Sequence, residues 1–144
     1  MGHQKNEKPA LLIIDMVKDN FIESKKLPIT PFAVNIIGLL NRLIRVCRRH
    51  QWPIVFSTDA FNQEDFIFRG RMNPHSLAGT EGAEVVDELD KTDDDLWLTK
   101  TKFSAFFQTG DIKKLILSFF NFKLRTIVCV IHRGFSFSSF YWSV

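Results

Sequence analysis

The sequence predicts an α/β domain, an open and mainly parallel sheet with helices on both faces in a Rossmann-like three-layer arrangement. Three observations predict it. Ala10 to Ile14 is a continuous apolar run, β-branched toward its end, as a strand covered on both faces requires. Val34, Ile37, Leu40, Ile44 and Cys47 then recur at three- and four-residue spacing, the mark of an amphipathic helix. A second short apolar run, Ile54-Val55-Phe56, follows Pro53. Strand, helix and strand at this distance form a right-handed βαβ unit.

Each element has its own local reason. Met1 to Lys8 is polar and reads as a flexible arm ahead of a domain over residues 9–131. The first strand closes on Asp15. Thr30 followed by Pro31 is an N-cap and first-turn pair, so the helix is predicted over residues 31–50. The second strand ends at Ser57-Thr58-Asp59. Residues 60–80 hold Gly70, Pro74 and Gly79 with little periodicity and read as an irregular excursion of a length usually kept for function. Glu84 to Leu89 is predicted as a short helix and Leu96 to Thr99 as a strand. Asp111 to Phe120 is predicted as a helix with Leu115, Ile116, Phe119 and Phe120 inward, and Thr126 to Ile131 as the last buried strand. The total is about four parallel strands with intervening helices.

Composition narrows the function classes. Apolar residues make up 45% and charged residues 24%, the balance of a folded globular domain. The 19 basic and 16 acidic side chains are interspersed, leaving no single-sign field to hold a phosphate backbone, so nucleic acid is not an expected partner. Arg42, Arg45, Arg48 and Arg49 lie at helical spacing beside the apolar stripe and read as a solvated face; Asp93-Asp94-Asp95 reads as a solvated loop. No apolar run approaches the roughly 20 residues of a membrane span. Only Cys47 and Cys129 occur, each inside an apolar pattern, and no secretory leader pattern opens the chain, so a reducing cytoplasm is the expected compartment.

In open α/β sheets the ligand crevice lies at the carboxyl ends of the strands, so polar residues that terminate buried strands carry the first expectation of chemistry. Asp15, Asp59 and Lys100 stand there. With their neighbours they resemble the isochorismatase and nicotinamidase superfamily of cysteine hydrolases. The matching pieces, in order, are Ala10-Leu-Leu-Ile-Ile-Asp15-Met16 with Asp19-Asn20-Phe21 behind, Val55-Phe56-Ser57-Thr58-Asp59, Pro74-His75-Ser-Leu-Ala-Gly79-Thr80-Glu81-Gly82, and Lys100-Thr-Lys-Phe-Ser104-Ala105-Phe106. The resemblance covers about residues 9–131. It implies a catalytic aspartate and lysine at Asp15 and Lys100, with Lys102 as a neighbouring alternative at poorer spacing, and a cysteine after a later strand. Chemically the set is coherent: a thiol is largely unionised near neutral pH, and a carboxylate to take its proton and a cation to hold the thiolate make it nucleophilic.

By the family's spacing that cysteine falls near position 137, where this chain has a phenylalanine. Residues 132–144 are instead a Phe- and Ser-rich tail with weak patterning, and the domain is expected to lack the family's C-terminal strands, with one sheet edge unpaired. Cys129 and Cys47 read as core cysteines. Ser136 and Ser138 have no histidine base set by a recognisable motif. Nicotinamidase-type members hold a divalent metal such as zinc through an aspartate, a histidine two residues later and a second histidine; Asp59 and His75 match the outer positions, but Phe61 occupies the middle one. Two ligands fall short of a zinc site, so no cofactor is expected. Phe21, Phe61, His75 and Phe106, with Trp97, are candidates for a pocket wall, core packing being the competing reading for each aromatic. The expectation is a small-amide hydrolase fold with little or no activity; the alternative is a non-catalytic partner that co-assembles with an intact homologue, in a homo- or hetero-oligomer.

Overall fold

Among the described residues, five strands form one sheet in the order β3-β2-β1-β4-β5. They are β1 Pro9–Ile14, β2 Ile54–Asp59, β3 Leu96–Lys100, β4 Arg125–Val130 and β5 Tyr141–Trp142. The computed structural model describes residues 9–22, 30–70, 72–101, 125–130 and 141–142. β1 is central: it pairs in parallel with β2, Leu11 beside Ile54 and Ile14 beside Ser57, and with β4, Pro9 beside Arg125 and Ile14 beside Val130. That placement explains why Ala10 to Ile14 is apolar at every position, because all five are buried. β2 pairs in parallel with β3, bringing Asp59 level with Lys100.

The helix α1, Thr30–Arg49, crosses from β1 to β2. Its stripe of Ala33, Ile36, Leu40, Ile44 and Cys47 is buried and packs against Leu11, Ile13, Ile54 and Phe56 on one face of the sheet, with Val85, Val86 and Leu89 closing the cluster. Each fully buried Leu or Ile contributes about 1.5–3 kcal/mol relative to exposure. By length and composition α1 is apolar enough to span a bilayer, which a search for unbroken apolar runs does not reveal. Its packed stripe, however, is the core of this sheet. Thr30, expected as the cap, is the first helical residue, and its hydroxyl donates to the Asn20 carbonyl at 2.8 Å.

Three expectations need correction. Glu84 to Leu89 is not a helix: Val85 forms an antiparallel bridge with Val17, and the Val86 N–H donates to the Met16 carbonyl at 2.9 Å. Two adjacent β-branched residues disfavour a helix, and the Lys91 ammonium fixes the extended path by donating to the Val85 and Val86 carbonyls, both at 3.1 Å. Asp95 is not solvated; it is buried, accepts from the Thr92 N–H at 2.7 Å and takes Arg48 at 2.9 Å. With Arg45 against Asp90, this ties the charged flank of α1 to the turn before β3. Finally, the far edge of β4 is not left wholly open. β5, unanticipated from the tail's composition, pairs antiparallel with it, Thr126 beside Trp142 and Ile127 beside Tyr141. The predicted helix over 111–120 lies outside the described residues.

Candidate functional site

Parallel pairing fixes where the site must be. β1, β2 and β3 point the same way, so the residues that end them gather along one edge. Asp15 follows β1 and donates its N–H to the Ser57 carbonyl at 2.9 Å, Asp59 is the last residue of β2, and Lys100 the last of β3. The Lys100 stem is wholly buried, and its ammonium reaches back over β2 to meet Asp15 Oδ1 at 2.8 Å and Oδ2 at 3.0 Å, and to bond Asp59 Oδ1. One cation thus serves two carboxylates, Asp15 buried beside it and Asp59 partly open to solvent.

Such an arrangement is unbalanced by one negative charge when both acids are ionised. Burial, and next the neighbouring Asp59 charge, push the Asp15 carboxyl up to about 7, against the downward pull of Lys100. A carboxyl poised there changes its proton near neutrality, which suits a general base. The backbone at Asp15 is also unusual, with φ of 58°, a left-handed conformation that costs a non-glycine residue on the order of 1 kcal/mol.

Four buried side-chain atoms have no hydrogen-bond partner among the described residues: Asp15 Oδ1, Asn20 Oδ1, Ser57 Oγ and Ser76 Oγ. Asp15 Oδ1 lies close to Lys100 but outside hydrogen-bond geometry. Buried polar atoms are normally satisfied. Here the exceptions belong to the strand ends and the two loops beside them, and they mark the polar lining of the site.

His75 stands to one side of this cluster. Its Nδ1 lies 2.9 Å from the Asn73 carbonyl, which fixes the proton on that nitrogen. Its ring meets Phe61 edge-on at 5.7 Å and Phe68 at 5.3 Å, and those two phenylalanines meet each other at 5.8 Å. Asp59 is engaged by Lys100, and the Phe61 ring is buried at the position a middle ligand would need. Among the described residues no group of three or more potential ligands comes together. Among the described residues, then, Asp59 and His75 do not make a set that fits a divalent metal.

Of the residues singled out from sequence, Asp15, Asp59 and Lys100 come together in one cluster, and Phe61 and His75 in one aromatic group. Phe21 packs against the α1-side core. Trp97 stacks on Phe56 at 5.0 Å on the same side, with 46% of its surface exposed, away from the strand-end edge. Phe106 and Lys102 lie outside the described residues. Sequence reasoning missed Phe68 and the buried pair Asp19 and Asn20 as site elements; two polar residues inside the matched Asp15-to-Phe21 segment were the available signal.

The isochorismatase domain model matches residues 9–115. A probable inactive nicotinamidase of Arabidopsis thaliana is 33% identical over 127 residues, which is 76% of this chain and 64% of that protein. This chain therefore spans less than two thirds of that relative's length. Among solved structures, an N-carbamoylsarcosine amidase from Thermoplasma acidophilum is 32% identical with a TM-score of 0.67, covering 84% of this chain and 67% of its own. A pyrazinamidase of Pyrococcus horikoshii in complex with zinc is 25% identical with a TM-score of 0.70, covering 87% and 71%.

Proposed function

The chain belongs to the isochorismatase family, and from that premise we propose that it keeps the proton-handling half of a small-amide hydrolase site, Asp15 and Lys100, without the thiol that half serves. The observation that carries this reading is the buried Asp15–Lys100–Asp59 cluster, whose Asp15 is poised to take a proton near neutral pH while position 137 is phenylalanine. Neither cysteine present is suited to replace the thiol. Cys47 is in the α1 core, where burial pushes its thiol up. Cys129 is level with Ile13 in β4, two residues short of Asp15 along the sheet.

The amide-hydrolysing relatives supply the substrate class: a small amide or carbamoyl compound whose carbonyl would face Lys100. With no nucleophile, the scaffold holds such a molecule without forming an acyl-enzyme. The direct test is ammonia release from nicotinamide, N-carbamoylsarcosine and a panel of small amides, with Asp15→Asn as the control for contaminating activity. The expected result is no turnover above that control. Turnover abolished by Asp15→Asn would overturn the reading and reveal a nucleophile in this chain.

A second reading, a non-catalytic partner of an intact homologue, is favoured by one feature. α1 exposes Phe32, Val34, Leu39 and Val46 beside its packed stripe. Size-exclusion chromatography of the mixed proteins tests it, and elution of two unshifted peaks would remove it.

A further inference from the structure

Three non-glycine residues among those described have left-handed backbones: Asp15 at φ 58°, Gln51 at 55° and Ser76 at 48°. Gln51 is explained by its place, since its N–H donates to the Arg48 carbonyl to close α1. The other two belong to the candidate site, and both are held by consecutive residues of one 3-10 turn, Lys18–Asn20. The buried Asn20 amide donates to the Asp15 carbonyl at 2.7 Å. The buried Asp19 carboxylate accepts from the Ser76 N–H at 2.6 Å.

We propose that Asp19 and Asn20 are the positioning residues of this site, the one fixing the turn that carries His75 and the other fixing the backbone from which the Asp15 carboxylate reaches Lys100. Three constraints make Asn20 a firm anchor. Its N–H donates to Val17 at 2.9 Å, its carbonyl accepts from the Thr30 hydroxyl at 2.8 Å, and its side chain takes the Asp15 carbonyl where the chain leaves the sheet. Without that donor the Asp15 carbonyl would be buried unpaired and the residue would relax toward an ordinary φ, withdrawing the carboxylate from the ammonium. Asp19 is confined in turn by Gly82: a Cβ there would lie 2.5 Å from the Asp19 Cγ and 2.5–2.6 Å from its oxygens, so only glycine leaves the carboxylate its place. This inference rests on the cluster and not on whether the chain turns over an amide.

The test follows the Asp15 carboxyl carbon by NMR through a pH titration of the wild type, Asn20→Ala and Ile44→Val, the last a core change remote from the site. The wild type is expected to titrate near neutrality, Asn20→Ala about one pH unit or more higher because its carboxylate loses the downward pull of Lys100, and Ile44→Val as the wild type does. Loss of stability in Asn20→Ala with the Asp15 midpoint unmoved would overturn the proposal. An ordinary carboxylate midpoint already in the wild type would instead sink the account of the cluster. Gly82→Ala is expected to displace the His75 ring resonances out of their Phe61 and Phe68 shielding while leaving the Asp15 titration near its wild-type midpoint; unchanged His75 resonances would refute the Asp19 half. If Asn20→Ala does not fold, the wild type alone decides it: a nitrogen-to-carbon coupling across the bond from the Asn20 side-chain amide to the Asp15 carbonyl must be seen, and its absence overturns the assignment.

Discussion

Replacing Lys100 with methionine isolates what the buried ammonium contributes. Methionine keeps much of the stem's volume and removes the charge that bonds Asp15 and Asp59. A buried Asp15 then stands beside a partly exposed Asp59 without their shared cation. Since removing one member of a buried ion cluster costs about 3–5 kcal/mol, the lower end of that range is expected here. Against a total of roughly 5–15 kcal/mol for a domain, that is a large fraction. The loss also acquires a pH signature with a definite sign. The Asp15 carboxyl is already raised from 3.8 to about 7 in the folded chain. A folded acid that holds its proton more tightly than the unfolded chain is most favourable at low pH, and its contribution declines as pH rises from about 4 through the folded value. Removing Lys100 takes away the downward pull, so the decline extends above 7. Urea unfolding followed by circular dichroism at pH 5 and pH 8 reads both effects. The Lys100→Met penalty should be larger at pH 8 than at pH 5 by about 1 kcal/mol for a roughly tenfold tighter hold of Asp15 on its proton, approaching about 1.4 kcal/mol if Asp15 stays protonated throughout. A penalty under about 1 kcal/mol at both pH values would refute the claim that the ammonium is needed to hold the buried Asp15 and its neighbour Asp59 together.

Two further outcomes follow from the same geometry. Leu40→Ala removes a fully buried side chain from the α1 core and should lower unfolding stability by about 2–5 kcal/mol in the same urea assay, without moving the Asp15 titration. Phe61→His would place a third potential ligand between Asp59 and His75, so zinc binding by calorimetry should rise from none to measurable; no gain would mean that the Lys100 bond to Asp59 outcompetes the metal.

Asp15, Asp59 and Lys100 were legible in the sequence because each terminates an apolar run, and parallel strands of matched register carry such ends to one edge. α1 was legible for a similar reason, its apolar period and the Thr30-Pro31 start. The N-terminal half of its stripe, however, was misplaced by one position: Ala33 and Ile36 pack on the sheet, while Val34 is exposed and Ile37 only partly buried. What stayed hidden depends on partners far along the chain. Asp19 acquires its role from Ser76, 57 residues away, and Asp95 its burial from Arg48, 47 residues away. Val85 and Val86 are extended because β1's continuation at Met16 and Val17 offers them bonds, a choice no local pattern in 84–89 announces. β5 is two residues long and gains its order only from the edge of β4.

The strand order has a bearing on how the chain is made. β1 emerges from the ribosome first, yet one of its two neighbours, β4, is translated more than a hundred residues later. Until then a wholly apolar central strand has a partner on one side alone, and pairings this distant in sequence form slowly. The nascent chain therefore offers an open, hydrophobic strand edge for most of its synthesis, the kind of surface that chaperones bind and that aggregation begins from. Yield in cells should respond to chaperone supply and growth temperature before it responds to any change at the site.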